Sequence, residues 1–199
     1  MGDRPSPTRG FSTASAGGPW GAPGYLFGFH ESVEVLIRSA RGRPMRDALI
    51  YPILFNLRHF AELTLKELIL EAERAVDWAE QMDWLLAERP APVGDNPART
   101  HNLGQLLAWV RERLAVLTEE QLPEDWCQAV DDLDRLDPTG QVFRYPHTRS
   151  GDLQLPDARR FDLDDVQRQC AAINSLLYGV DGVLSEIIDA GPRPDELEP

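Results

Sequence analysis

Residues 47–75 read DALIYPILFNLRHFAELTLKELILEAERA and form the longest helical pattern in the chain. The first half of this stretch, residues 48–57, is apolar on almost every side, which is typical of a helix buried at the centre of a fold. Pro52 deletes one backbone hydrogen bond within it, so we expect a kink or a helix start close by. A weaker amphipathic stretch follows at residues 78–86. The sequence therefore predicts a core assembled around one central helix.

Four other segments carry apolar residues at intervals of three and four, the spacing of a single buried helix face. They cover residues 25–40, 103–117, 124–136 and 163–187. Asn102, followed three residues later by Gln105, resembles a capping box, and Asp162 is a predicted cap of the last segment. No segment reads as a paired strand. The predicted fold class is all-α, a helical bundle of about five main helices.

Length and charge limit the possible domain organisation and partners. The chain has 199 residues, which fits one globular domain. Residues 1–24 and 190–199 are rich in small, polar and proline residues, so we expect disordered tails around a single domain at 25–189. The net charge is -13, with 20 Lys and Arg against 33 Asp and Glu. This balance excludes strong non-specific nucleic-acid binding and confines any such contact to a local site.

Cysteine usage and hydropathy add further expectations. Cys127 and Cys170 stand in no CxxC pair and have no histidine at metal-binding spacing, so we expect reduced core residues, no metal site and no cofactor. No apolar run reaches the roughly 18 to 20 residues of a membrane span, and the N-terminus lacks the apolar segment of a signal peptide. The sequence thus predicts a cytoplasmic protein with no membrane contact.

A polar stripe interrupts the central helix. Arg58, Glu62 and Lys66 follow one another at intervals of four, and His59 lies beside them. One interpretation is a ladder of alternating charge on a solvated helix face, worth about 0.3 kcal/mol per pair. The other is a cleft where Arg58 and His59 present a cation and a titratable imidazole to an anionic ligand, with Glu62 orienting Arg58.

A second polar cluster lies in the loop at residues 143–146, Phe-Arg-Tyr-Pro. An arginine between two aromatic rings is able to stack on a base and pair with a phosphate. The alternative is a loop anchored by two buried aromatic rings, with Arg144 paired to Asp137 or Glu62. Because the loop begins six residues after the fourth predicted helix ends, it is able to fold back onto the polar stripe. We expect one interior or cleft-lining charge network formed by Arg58, Glu62, Asp137 and Arg144.

Three separated motifs resemble those of prokaryotic HEPN-like helical proteins: RH..EL.LK at 58–66, HNL at 101–103 and FRYP at 143–146. The resemblance covers about residues 25–188. It implies a HEPN-type bundle, often dimeric, associated with RNA cleavage, toxin–antitoxin pairs and phage defence. We therefore expect a homodimer. Some apolar residues of the first and last predicted helices lie outside the predicted buried faces, which agrees with an interface between two copies, namely Phe27, Val35, Leu176 and Ile188.

Catalytic HEPN ribonucleases carry an Arg followed by a His after four to six intervening residues. No Arg stands in that window before any of the four histidines, His30, His59, His101 and His147. Gly-rich phosphate loops, GxSxG and HExxH are also absent, which disfavours common hydrolase and kinase classes.

The resemblance thus implies a non-catalytic or regulatory module that binds a protein partner or a nucleotide- or RNA-like anion. The alternative is a divergent, metal-independent ribonuclease. In that case residues of the two polar clusters act as general acid and general base and stabilise the phosphate. His101, just before the third predicted helix, is expected to pack at the helix start, and His30 is assigned no role. The candidate site residues are Arg58, His59, Glu62, Lys66, His101, Asp137, Arg144 and Tyr145.

Overall fold

Five α-helices and one short 3₁₀ helix make up the regular structure of the part of the chain that the computed structural model describes, residues 21–44, 46–93 and 97–190. The α-helices are α1 (Gly21–Ala40), α2 (Arg46–Gln81), α3 (Leu103–Leu114), α4 (Glu124–Leu136) and α5 (Leu163–Asp189). The 3₁₀ helix, Pro97–Arg99, precedes α3. Within these ranges no strand is formed, so the predicted all-α bundle of about five helices is confirmed.

The central position predicted for residues 47–75 is confirmed by the packing of α2. This helix contacts α1, α3 and α5, and its apolar residues, such as Ile53, Leu57 and Phe60, are almost fully buried. α2 begins at Arg46, less than two turns before Pro52, so a helix start lies close to the proline as expected. The polar residues of the same segment are thereby carried into the middle of the bundle.

Two helix boundaries differ from the predicted ones. α1 begins at Gly21, so residues 21–24 are helical although the sequence assigned them to a tail. α2 continues to Gln81, beyond the expected end near residue 75, because Val76 and Ala79 are buried and extend its apolar face. The disorder predicted for residues 1–20 and 191–199 lies outside the described residues.

Small residues and buried sulfur atoms fill the contacts of α5. Cys127 and Cys170 are unpaired and buried, as expected of core cysteines. Gly179 faces the Trp126 ring of α4, and a methyl group at this position would collide with the ring. Leu176 is fully buried, so it belongs to the core and not to an exposed surface that a second copy could contact. The absence of a side chain at Gly179 thus permits a close approach of α4 and α5.

α5 is also long and apolar enough to cross a membrane by length and composition, although no such segment was expected. It has 27 residues and a most apolar window with mean hydropathy 1.3. Core helices of soluble proteins meet the same criteria. In the bundle, the buried face of α5 packs against α2 and α4.

Candidate functional site

A pocket of about 220 Å³ lies between the middle of α2, the start of α3 and the turn that follows α4. Residues of both polar clusters that the sequence singled out line it, although about 80 residues separate the two clusters in the chain. Ten residues form its wall: Phe29, Phe55, Arg58, His59, Glu62, His101, Thr139, Gly140, Gln141 and Arg144. Lys66, Asp137 and Tyr145, the other candidates, contact these wall residues. The fold therefore brings all eight candidates into one neighbourhood.

Arg58 is buried and fixed by three parts of the chain. Its Nε donates a hydrogen bond to the carbonyl oxygen of Asp137 at 2.9 Å and lies 3.7 Å from the Asp137 carboxylate. Its Nη1 donates to Glu62 at 3.1 Å, and its Nη2 donates to the carbonyl oxygen of His101 at 2.5 Å. All three nitrogen atoms thus have protein partners. Arg58 is a structural cation that holds the pocket wall together.

The turn after α4 is shaped to accept this arginine. The Asp137 carboxylate accepts a hydrogen bond from the backbone N–H of Gln141 at 2.9 Å, which closes the turn. Gly140 has φ +73, in the region that favours glycine, and an added Cβ would stand 3.0 Å from Arg58 Nη1. Glycine is therefore required here both for the backbone conformation and for the close approach of the guanidinium.

Glu62 is the buried carboxylate on which the polar contacts converge. It accepts hydrogen bonds from Lys66 Nζ at 2.7 Å and from Arg58, and its Oε1 lies 2.8 Å from His101 Nδ1. Burial alone would raise the pKa of Glu62, but the hydrogen bonds from Lys66 and His101 outweigh it and lower the pKa below its usual value. The predicted ladder from Arg58 to Lys66 exists, but the solvated-face interpretation is wrong because Arg58 and Glu62 are buried.

The two histidines of the pocket have different surroundings. His59 is half-buried between two phenylalanine rings, edge-to-face with Phe29 at 4.4 Å and stacked with Phe55 at 6.0 Å between ring centroids. Burial lowers the pKa of His59, and Lys66, Arg144 and Arg58 add to this effect against the opposing charge of Glu62. His59 is therefore neutral at pH 7.

His101 is the more open of the two histidines, with a side chain that is 63% exposed. This corrects the expectation of a packing residue at the helix start. The predicted cap at Asn102 is confirmed, since its side chain accepts a hydrogen bond from the Gln105 N–H. Because the ionised Glu62 is only able to accept hydrogen bonds, His101 Nδ1 carries the proton and Nε2 is left as the acceptor of the neutral ring. Glu62 thereby fixes the orientation of this imidazole.

Arg144 differs from the prediction because it takes no part in the charge network. It is exposed, it lines the pocket, and it has no carboxylate partner among the described residues. The two nearby carboxylates, Glu62 and Asp137, are paired with other groups, Glu62 with Arg58, Lys66 and His101, and Asp137 with Arg58. Its guanidinium lies instead against two aromatic rings, 5.9 Å from the Phe55 centroid and 5.4 Å from the Tyr145 centroid.

The loop at 143–146 has one buried and one exposed ring. Phe143 is buried against Phe161, whereas Tyr145 is 47% exposed, so only one of the two aromatics anchors the loop. The anchored Phe143 holds Arg144 at the pocket, and Tyr145 extends the pocket edge as an open aromatic surface. An arginine stacked on a tyrosine is the arrangement that we expected, from the sequence, to bind a base and a phosphate.

Charge in and around the pocket is positive although the protein is acidic overall. Three permanent cations, Arg58, Lys66 and Arg144, stand against the two carboxylates of Glu62 and Asp137. Arg144 is the cation that remains uncompensated. A local excess of this kind attracts an anion without a positive surface elsewhere.

Sequence reasoning missed the aromatic wall and the backbone acceptors of the pocket. Phe55 precedes His59 by four residues on α2, so its place beside the imidazole was readable from helical spacing. Phe29 lies on α1, and no local pattern indicates that it contacts His59. The carbonyl oxygen of His101 also has no signal in the sequence, since it becomes a partner of Arg58 only through tertiary packing.

Comparison with known proteins gives no match for this chain. No family model matches the chain, and neither a curated protein nor a solved structure matches it. The expected likeness to HEPN-like proteins therefore rests on the three sequence motifs alone, each of which supplies at least one residue of the pocket wall.

Proposed function

We propose that the pocket binds a phosphate-bearing anion of the nucleotide or RNA type and that the protein is a non-catalytic, regulatory HEPN-like module. One observation carries the proposal: Arg144, an exposed cation without a carboxylate partner in the described ranges, lines a pocket beside two imidazoles. Guanidinium groups match phosphate geometry through paired N–H donors. The other cations near the pocket are engaged by carboxylates, so recognition depends on Arg144.

The size of the pocket indicates how much of the ligand enters it. At about 220 Å³ it is smaller than the about 300–1,000 Å³ of pockets that enclose whole ligands. A phosphoryl group fits this space, and the nucleoside part is left outside. Tyr145, half-exposed next to Arg144, offers a stacking surface for a base there.

The histidines supply hydrogen bonds to the same phosphoryl group. His59 is neutral and donates from one ring nitrogen, whereas His101 gains a second N–H donor on protonation. Glu62 accepts a hydrogen bond from Nδ1 of His101 and so fixes the orientation of this ring.

A divergent, metal-independent ribonuclease is the second candidate, because two imidazoles of unlike surroundings share one pocket. Acid-base catalysis needs one group that accepts a proton and one that donates it, and different environments separate such roles. Neutral His59 suits the base, and His101, paired with Glu62, suits the acid. The missing Arg-x4–6-His motif favours the non-catalytic proposal.

Titration calorimetry with inorganic phosphate, a nucleoside monophosphate and a short single-stranded RNA tests the proposal. We expect Arg144→Gln to weaken binding of all three at least tenfold, since it removes the uncompensated cation. Arg149→Gln is the matched control because it makes the same charge change in the same loop at an exposed residue outside the pocket wall. We expect it to change affinity less than twofold.

Two results would contradict the proposal. Equal losses in Arg144→Gln and Arg149→Gln would show non-specific attraction, and unchanged affinity in Arg144→Gln would place the anion elsewhere. Incubation of the RNA with the wild-type protein separates the two candidates: cleavage that disappears in His101→Gln would support the ribonuclease, whereas intact RNA agrees with a binding module.

A further inference from the structure

A second cluster of chemically competent side chains lies between α1 and α5, outside the pocket. His30 and Glu34 stand one turn apart on α1, and Cys170 lies on α5. Their potential ligand atoms, one from each side chain, all lie within 4.8 Å of one another. Cys170 is fully buried, and the other two residues are half-buried.

We propose that His30, Glu34 and Cys170 bind a zinc-type divalent transition metal, with three protein ligands and one position open to water or to an exogenous ligand. Imidazole nitrogen, carboxylate oxygen and thiolate sulfur are the donors that zinc takes in proteins. Magnesium and calcium prefer oxygen donors alone, so the sulfur and nitrogen of this cluster select against them. Zinc sites with three protein ligands keep the fourth position free.

The spacing of the ligand atoms is close to that of a formed site. Ligand atoms about 2.0 to 2.3 Å from zinc in a tetrahedron lie roughly 3.3 to 3.8 Å apart. The observed limit of 4.8 Å requires a contraction of about 1 Å or somewhat more. Rotation of His30 and Glu34, the half-buried members on α1, is able to supply it while Cys170 stays fixed in the core.

Neighbouring side chains already orient two of the ligands. Gln167 Nε2 donates a hydrogen bond to Glu34 Oε2 at 2.9 Å, and Arg38 lies 3.9 Å from the same oxygen. Oε1 of Glu34 is therefore left for the metal. The His30 ring contacts Phe60, with 5.3 Å between the ring centroids. Partners of this kind position the ligands of known metal sites.

Charge balance explains how a metal is accommodated beside the core. The Cys170 thiol must give up its proton to bind a metal ion as a thiolate. Zinc replaces this proton, which passes to solvent, and a zinc–thiolate bond forms without any change of oxidation state. The thiolate and the Glu34 carboxylate together neutralise the two charges of the ion. A neutral centre costs little to bury.

No sequence motif indicates this cluster, because its members are far apart in the chain. Glu34 and Cys170 are separated by 136 positions, whereas local zinc motifs place ligands within a few residues. The expectation of no metal site rested on that local spacing. A metal held here joins α1 to α5, so its binding is expected to stabilise the folded bundle.

Cobalt and zinc titrations of the full chain, after treatment with a chelator, test the proposal. We expect one cobalt ion per chain with a thiolate-to-cobalt charge-transfer band, which one equivalent of zinc removes. Cys170→Ser should abolish the band. Cys127→Ser, the other buried cysteine, is the matched control and should keep it. Weak binding to surface carboxylates produces no such band.

A ligand variant outside the core keeps the test decisive if Cys170→Ser fails to fold. His30→Gln changes a half-buried residue, and we expect it to lower zinc affinity at least tenfold and to remove the rise in melting temperature that zinc causes in the wild type. The proposal is overturned if the wild type shows no charge-transfer band, if the band survives in Cys170→Ser or is lost in Cys127→Ser, or if His30→Gln binds zinc like the wild type.

Discussion

Glu62 shows what helical spacing reveals about one residue and what it leaves out. Its contacts with Arg58 and Lys66 follow from intervals of four on one helix and were predicted. Its contact with His101, 39 positions later, depends on how α3 docks against α2 and has no local signal. Burial of the carboxylate was one of two predicted alternatives, an interior or cleft-lining network against a solvated face, and spacing along one helix does not decide between them.

At the residue scale, His59 predicts how stability depends on pH. Its pKa is lower in the folded protein than the usual 6.5, so the unfolded chain takes up the proton first as pH falls. The free energy of unfolding should therefore decrease below about pH 6.5, by at most about 1.4 kcal/mol per pH unit for one proton. Urea denaturation between pH 7.5 and 5.5 measures this slope.

The variant His59→Phe should flatten the slope, because it keeps an aromatic ring between Phe29 and Phe55 but does not titrate. His147→Gln, at an exposed position of the loop, should leave the slope unchanged. A His59→Phe variant with the wild-type slope would show that the pH dependence arises elsewhere.

At the scale of elements, prediction from sequence was most accurate where apolar spacing and breakers agree. α4 has the predicted bounds, because Pro123 precedes its first turn and the Asp137-Pro138 step ends it. α3 ends at Leu114 although its stripe was traced to Leu117, since the last apolar residues are buried in a turn that follows the helix. Periodicity locates a buried face, but it does not show where the helical hydrogen bonds stop.

Arg58 joins α2 to the start of α3 and to the end of α4. We expect this junction to contribute a large share of the free energy of unfolding. Glu62→Ala leaves a buried guanidinium and Lys66 without their shared carboxylate, which typically costs about 3 to 5 kcal/mol. For a domain of this size that corresponds to roughly 6 to 20 °C in melting temperature. Differential scanning calorimetry measures the change.

Glu71→Ala is the matched control for this element, because it removes a carboxylate from the same helix where the partner, Arg74, is exposed. We expect it to cost about 0 to 1 kcal/mol. Arg144→Ala should behave like the control, in contrast to the sequence-based expectation, because Arg144 has no carboxylate partner among the described residues. Equal melting temperatures for Glu62→Ala and Glu71→Ala would show that the network adds no stability.

At the scale of the whole molecule, we propose that two copies of the chain associate through α1. Phe27 is 67% exposed and Val35 is 47% exposed on this helix, and HEPN-like bundles are often dimeric. Light scattering at micromolar concentration should give about twice the chain mass of 22.4 kDa. Phe27→Glu should give the mass of one chain, because a charge would replace an apolar contact at the interface.

The matched control for the dimer is Leu153→Glu, which places the same charge at an exposed apolar residue of the loop before α5. We expect this variant to keep the mass of the wild type. A wild-type mass near that of one chain, or a dimer that persists in Phe27→Glu, would count against the proposed interface.

The three attachments of Arg58 also impose an order on folding. Its partners lie 4, 43 and 79 positions away along the chain. A guanidinium gives up its water only when acceptors replace it, because an unpaired buried charge is costly. The apolar contact between α1 and α2, neighbours in sequence, closes a short loop and needs no such replacement. We therefore expect water to leave the polar side of α2 last during folding, after the start of α3 and the end of α4 have both docked.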